Sequence, residues 1–328
     1  MRRREFISLI SGAAAAWPLA ARAQQPAMPV VGFVNAASPQ PYARMLSAFI
    51  KGLGETSYIE DQNVKIEYRW AEAHSGRLPE LAAGLVRDRV AVLVAAGGTA
   101  SAVAAKAATG EIPIVFGTGA DPVELGLVAS LNRPGGNVTG VTSLNQEVAP
   151  KRLELMHELL PSVNSMALLV NPAVPATAEP VSRSSQAAAH ALGLKLHTVH
   201  ASSDRDFDAV FERLTQLRVG ALVIGPDTFF TSRSGQLAKL TVRHEMPAIY
   251  QFREFARAGG LMSYSSSEPE YYRLVGAYAG RVLKGDKPAD LPVQQSTKVE
   301  LFLNLKTAKS LGITVPLPLS GRADEVFE

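Results

Sequence analysis

No cysteine occurs anywhere in the 328 residues. A disulfide framework, a thiolate metal site, a cysteine nucleophile and a lipid-anchored cysteine are therefore excluded. Histidine is sparse and scattered. His74, His157, His190, His197, His200 and His244 form no metal-type pair on one helix face, and His197 and His200, three apart in an expected strand, point to opposite faces. Beyond the N-terminal segment there is no apolar run of membrane-spanning length. A charge surplus is also missing from the body of the chain. Arg2, Arg3, Arg4 and Arg22 against Glu5 account for the whole net charge of +3, and the remaining basic and acidic residues balance. Such a body offers no electrostatic footprint for DNA or RNA. Enzyme signatures are absent as well. Gly117-x-Gly119 is followed by Pro122 where a dinucleotide loop requires glycine, and there is no Walker loop, no G-x-S-x-G elbow and no H-E-x-x-H.

What remains is ordinary globular composition, 47% hydrophobic and 19% charged, in a length that suits about two domains. Residues 1–23, MRRREFISLISGAAAAWPLAARA, have a cationic start, an apolar stretch from Phe6 to Leu19, and Ala21-Arg22-Ala23 before Gln24. That is the layout of an export signal with small residues at the −3 and −1 positions. Arg3-Arg4-Glu5-Phe6-Ile7 resembles the twin-arginine form, and an ordinary Sec signal with extra arginines is the alternative. The expectation is a soluble periplasmic protein that begins near Gln24.

The body alternates short apolar runs with helical patterns. PVVGFVN (29–35), VAVLVAA (90–96) and IPIVFG (112–117) read as buried strands, with helices expected at 42–53, 78–89, 100–108 and 123–131. The rhythm restarts after a stretch rich in Gly, Pro, Asn and Thr (132–150) whose composition is that of a linker. SMALLVN (165–171) and GALVIG (220–225) are strands of a second unit, in which a helix is expected over 231–245. Apolar strands alternating with helices give an α/β chain of two doubly wound parallel sheets. Residues 28–142 with about 264–290 are expected to form one lobe and 143–263 the other. The tail, 291–328, crosses back over a multi-strand hinge with its lobe left open, so that the lobes can close like jaws.

In open parallel sheets, ligands sit beyond the carboxyl ends of the strands. Those ends hold Ser38, the Gly97-Gly98-Thr99-Ala100 loop, Thr118 with Asp121, and Asp227 with Thr228. Helix starts behind them present free backbone N–H groups to an anion. Each residue has a plainer role open to it. Thr99 and Ser101 could be N-caps, and Asp121 before Pro122 could start a helix. Asp227 has no obvious local task, because Thr231 and Ser232 are better placed to cap the next helix. It therefore suits an ammonium partner or a solvated loop. Tyr250 and Tyr264, like Phe229, Phe230 and Phe252, fit either hinge packing or a ligand wall.

Four stretches carry a resemblance: GLGETSYIEDQNVKIEYRWAE (52–72), EIPIVFGTGADPVELGLVASLNRPGGNVTGVTSL (111–144), KRLELMHELLPSVNSMALLVNP (151–172) and VLKGDKPADLPVQQSTKVELFLNLKTAKSLGITVPLPL (282–319). The chain resembles the tryptophan/tyrosine-type substrate-binding proteins of ABC transporters. The resemblance implies the type I periplasmic-binding fold and capture of an apolar or aromatic amino acid, or a related carboxylate, between the lobes. It also implies site positions at Ser38, Thr99, Ala100, Thr118 and Asp227, and delivery to ABC permease subunits by a monomer with no cofactor, metal or nucleic acid. The Gly97-Gly98-Thr99-Ala100 loop departs from the Thr-Pro-Ala type of the amino-acid binders. Two further classes stand beside this reading. One is a ligand-sensing repressor core, which would need a DNA-binding head where the leader stands. The other is a secreted α/β enzyme acting on a small carboxylate or ester.

Overall fold

The computed structural model describes residues 28–143, 145 and 147–328. The leader, and with it the export reading, lies outside the described residues.

The first sheet begins with β1 (Val30–Asn35), β2 (Lys65–Trp70), β3 (Val92–Ala95), β4 (Ile114–Thr118) and β5 (Val138–Thr142). Its strands run parallel in the order β5-β4-β3-β1-β2. The period of two along each strand feeds two cores. Phe33, Val94, Val115 and Val141 join one, with α1 (Ala43–Glu55). Val34, Ala95, Ile114 and Phe116 join the other, with α2 (Leu78–Arg87) and α3 (Thr99–Ala108). Each fully buried aliphatic or phenyl side chain contributes about 1.5–3 kcal/mol over an exposed one. Apolar residues on both faces of a strand therefore commit it to the middle of a sheet, whereas β2, with one wet face, lies at the edge.

The second sheet is led by β6 (Ser165–Val170), β7 (Lys195–His200), β8 (Ala221–Ile224), β9 (Ala248–Tyr250) and β10 (Met262–Ser266). These run parallel in the order β10-β9-β8-β6-β7. One face is covered by α4 (Ala149–Leu159) and α5 (Pro175–Ala191). The other is covered by α6 (Asp206–Leu217), α7 (Thr228–Ser232), α8 (Ser234–Arg243) and α9 (Arg253–Arg257). After β10 the chain returns to the first sheet as α10 (Glu268–Leu283), which lies along α1. The contact is backbone to backbone. A Cβ on Gly52 would stand 1.8 Å from the Arg273 carbonyl oxygen, and one on Gly276 would stand 2.0 Å from that of Phe49. Glycine at both positions is what lets the two helices approach.

The tail divides between the sheets. Strand β11 (Gln294–Gln295) adds to the open edge at β5. Strand β12 (Val299–Asn304) then runs antiparallel to β10, and β13 (Glu325–Phe327) pairs with β12. Three crossings thus join the lobes.

Three expectations need correction. Residues 132–150 are not all linker, because β5 lies within them, buried along its whole length. Residues 123–131 form turns rather than a helix. The Asp121 carboxylate accepts from the Val123 and Glu124 N–H groups, and Gly126 at φ +66° turns the chain away. The crossing after β10 falls at Ser267 rather than near Tyr264, since Tyr264 is still paired with Leu301 in the second sheet.

Candidate functional site

The carboxyl ends of both sheets face a common cleft of about 740 Å³ counted out to its mouth. Gly98, Thr99, Ala100 and Gly119 follow strands β3 and β4 on one side. Pro226, Asp227, Thr228, Thr231, Gln251 and Phe252 follow β8 and β9 on the other. Ser143 and Asn145 line the hinge end, while Tyr42, Glu268, Tyr271 and Tyr272 add an aromatic wall with one carboxyl. Among the described residues no lysine, arginine or histidine lines the cleft. Among the described residues no group of three or more His, Asp or Glu could hold a metal.

The first-lobe wall is held in layers. Gly98, at φ +84°, is the residue before α3 and takes a backbone conformation that a side chain would strain. The first-turn N–H groups of α3 have no intrahelical acceptor and mark its start as an anion cradle. The Thr99 hydroxyl lies 3.0 Å from that of Thr118, which also accepts from the Ala120 N–H. Thr118 is fully buried and supports the cleft from behind. Neither Thr99 nor Ser101 caps α3, and the Ser101 hydroxyl is buried without a partner among the described residues. The rings of Tyr42 and Tyr272 meet edge to face at 6.2 Å, and those of Tyr271 and Tyr272 at 5.2 Å. The Tyr272 hydroxyl donates to the Ala96 carbonyl.

On the second-lobe wall Asp227 departs from its sequence reading. It is itself the N-cap of α7: its Oδ1 accepts from the Phe229 N–H at 2.8 Å and from Asn171 Nδ2 at 3.0 Å. Thr231, expected to cap, instead lies inside the helix, and its hydroxyl donates to the Asp227 carbonyl at 2.9 Å. Burial pushes the Asp227 carboxyl up to about 6, against the pull of those hydrogen bonds. The Tyr250 hydroxyl donates to the Asp227 carbonyl at 3.1 Å and lies 2.9 Å from the Thr231 hydroxyl, with Gln251 Nε2 donating to both hydroxyls.

Of the residues expected at the site, Gly98, Thr99, Ala100, Asp227 and Thr228 line the cleft together. Thr118 and Tyr250 stand directly behind its walls. Asp121 caps its own turn, Ser38 lies on the half-buried loop after β1, and Tyr264 offers its carbonyl to Arg152. Sequence reasoning missed Tyr42, Glu268, Tyr271 and Tyr272. Tyr42 stands just before α1. The other three depend on α10 returning to α1, and the spaced Gly276 and Gly280 of that helix are the signal for the return.

The lobes touch across the cleft. The Thr228 hydroxyl donates to the Gly97 carbonyl at 3.1 Å, and Arg44 of α1 pairs with Glu254 of α9 at 3.2 Å on the rim. At the hinge, Arg152 of α4 is wholly buried. It donates to the Asn145 carbonyl, to Asn145 Oδ1 and to the Tyr264 carbonyl, at 3.2, 3.2 and 2.7 Å. The Ser266 hydroxyl donates to the Ser143 carbonyl beside it at 2.6 Å.

Residues 31–327 match the family model described as ABC transporter substrate binding protein. The chain belongs to that family. It is 28% identical over 266 residues to the tyrosine-binding protein of Clostridioides difficile (strain R20291), a match covering 80% of this chain and 75% of that one. Among solved structures, it resembles a domain from Streptococcus pneumoniae in complex with L-Trp, at 26% identity and a TM-score of 0.83. That match covers 91% of this chain and 99% of the other. A conserved domain protein from Vibrio cholerae is 25% identical with a TM-score of 0.84 over the same shares. The architecture is the type I periplasmic-binding fold, and the chain is a substrate-binding protein of an ABC transporter family rather than an enzyme.

Proposed function

We propose that this protein captures an amino acid with an aromatic or apolar side chain between its lobes, in the periplasm, and hands it to an ABC permease. The observation that carries the reading is the polarity of the cleft. A helix start with free N–H groups, at Thr99 and Ala100, belongs to one lobe, and the Asp227 carboxylate belongs to the other. An α-amino acid brings a carboxylate and an ammonium that both leave water on closure, which is unfavourable unless each is paired. With the partners on separate lobes, only a ligand that has both groups completes the closed state. The rings of Tyr42, Tyr271, Tyr272 and Phe252 offer the remaining surface to an apolar body. The relatives named for tyrosine and bound to tryptophan support the same class. The leader, Arg3-Arg4 to Ala23, supports export, and among the described residues no helix is long and apolar enough to cross a membrane.

One preparation tests the reading. The protein is isolated from the periplasmic fraction without denaturation and examined by native mass spectrometry. The expected result is a chain beginning near Gln24 that carries an amino-acid mass. Titrating ligand-free protein with the same amino acid should raise the melting temperature through linkage and shrink the radius of gyration. A chain that keeps its leader in the cytosol overturns the export step. Binding of none of the aromatic or apolar amino acids overturns the ligand class.

A further inference from the structure

Among the described residues, the lining of the cleft holds two carboxyls and no side-chain cation. A zwitterionic amino acid brings one ammonium, which can satisfy one of them. Asp227 is the better prepared of the two. It already accepts from Asn171 Nδ2 and the Phe229 N–H, and it faces the start of α3. Glu268 is the other. It occupies the first turn of the sixteen-residue α10, on the aromatic side of the cleft, beside Tyr271 and Tyr272 of the same helix. It has neither a hydrogen bond nor an ion pair among the described residues. The nearby cation, Arg44, is engaged with Glu254 at the rim, and Glu254 and Glu300 add like charge to its surroundings. Burial, first of all, holds its carboxyl well above the usual range.

We infer that Glu268 reads the distal end of the ligand, so that the cleft selects amino acids whose side chain carries a hydrogen-bond donor over those whose side chain is purely apolar. This rests on the amino-acid reading above and narrows it. Glu268 is half-buried and opens onto the cleft, so water serves its oxygens while the cleft is empty. Once a ligand fills the cleft, an acceptor left without a partner incurs its full desolvation penalty. A ligand that reaches Glu268 with an O–H or N–H avoids that penalty, and one that covers it with hydrocarbon incurs it. On this inference the ring of the ligand lies against Tyr271 and Tyr272, with its head group toward Asp227 and its far end toward Glu268, all of which line the same cleft. Phenol and indole carry the required donor, and so does a terminal ammonium. Phenylalanine and leucine do not. Sites built around a buried polar partner discriminate strongly against analogues that lack the matching group.

The test compares L-tyrosine with L-phenylalanine, which differ by one hydroxyl, in calorimetric titrations of the full mature protein. L-Tryptophan, L-leucine and L-lysine extend the series. For the native protein the expected preference for the best donor-bearing ligand over phenylalanine and leucine is about 100-fold or more. Glu268→Leu should bring phenylalanine and tyrosine to within about threefold of each other, by strengthening the first and weakening the second. Glu268→Gln keeps an acceptor and the shape, and should retain a preference of roughly tenfold. Phenylalanine binding the native protein as tightly as tyrosine, tryptophan and lysine overturns the inference and leaves the amino-acid reading standing. An unchanged preference in Glu268→Leu does the same. A native protein that binds none of the five removes both. Should Glu268→Leu fail to fold, the native ratio and the Glu268→Gln ratio decide the matter.

Discussion

The hinge and the cleft both bury charge, and they treat it in opposite ways. At the hinge, Arg152 has no accessible surface and no carboxylate partner among the described residues, yet each of its three nitrogens donates to an oxygen, two on Asn145 and one on Tyr264. In the cleft, Asp227 accepts two hydrogen bonds through one oxygen, and Glu268 accepts none among the described residues. Burial lowers the Arg152 guanidinium to about 10 and raises both carboxyls. The same loss of water therefore acts on all three, and what differs is the supply of partners. The saturated group lies where two crossing segments must hold a fixed relation. The groups with capacity to spare lie where a ligand enters.

Breaking the saturated end of the comparison should have the largest effect. Arg152→Leu leaves the two Asn145 oxygens and the Tyr264 carbonyl without donors inside the fold, at about 1–3 kcal/mol for each buried group that stays unpaired. The expected loss is at least about 3 kcal/mol of unfolding free energy in urea. Arg152→Lys keeps the charge but not the planar fork that spans the two segments, and should recover only part of it. A loss under about 1 kcal/mol in Arg152→Leu would mean that water or neighbouring groups take over these bonds.

Asp227 lies between the extremes, and pH separates its two roles. Its carboxyl rises from 3.8 to about 6 on folding. At 1.36 kcal/mol per pH unit this penalises the folded ionised form by roughly 3 kcal/mol. The folded state holds the proton more tightly than the unfolded chain. The penalty is therefore absent below pH 4, grows as pH rises through 6, and is constant above. Asparagine keeps the N-cap and drops the charge. Ligand-free Asp227→Asn should accordingly match the native protein at pH 4 and be more stable at pH 8, by up to about 2 kcal/mol. Amino-acid binding at pH 8 should weaken by about 2–3 kcal/mol, the scale of a charge-assisted hydrogen bond. Thermal denaturation at the two pH values and calorimetric titration read the two effects separately. Equal affinity in the two proteins would place the ammonium elsewhere.

Much of the architecture is legible because parallel strands announce themselves. Runs such as Val92–Ala95 and Ala221–Ile224 are apolar on both faces and can only be central. Strand β5, VTGVT, reads as loop because two threonines and a glycine carry little hydrophobic signal. Its Gly140 is fixed by a neighbour far off in sequence, since a Cβ there would stand 2.2 Å from the Phe116 carbonyl oxygen. The cleft divides along the same line. Gly98, Thr99, Ala100, Asp227 and Thr228 follow strands, and a strand end can be found from sequence. Glu268, Tyr271 and Tyr272 reach the cleft only through the packing of α10 on α1, whose sign in the sequence is no more than the spaced Gly276 and Gly280. The capping role of Asp227 is masked in the sequence by the two hydroxyl residues, Thr231 and Ser232, which suit a later helix start.

The smallest expected effect belongs to the rim, where the paired atoms share their charge with water, while the second oxygen of Glu254 is buried without a partner among the described residues. Arg44 and Glu254 lie 3.2 Å apart with side chains 51% and 32% exposed, one on each lobe. A pair this wet contributes about 0.2–1 kcal/mol. It belongs to the closed state, because its partners come from separate lobes, so its loss should appear in ligand affinity rather than in the unfolding of either lobe. Arg44→Ala should weaken binding by no more than about fivefold at low salt. At about 1 M salt, where the Debye length shrinks to about 3 Å, the native and variant affinities should converge. A group buried with its partner would keep its effect under the same salt, as Asp227→Asn should. If Arg44→Ala instead loses affinity at every salt concentration, the arginine acts from inside the cleft, against Glu268, and the division between a wet rim and a dry site must be redrawn around that carboxylate.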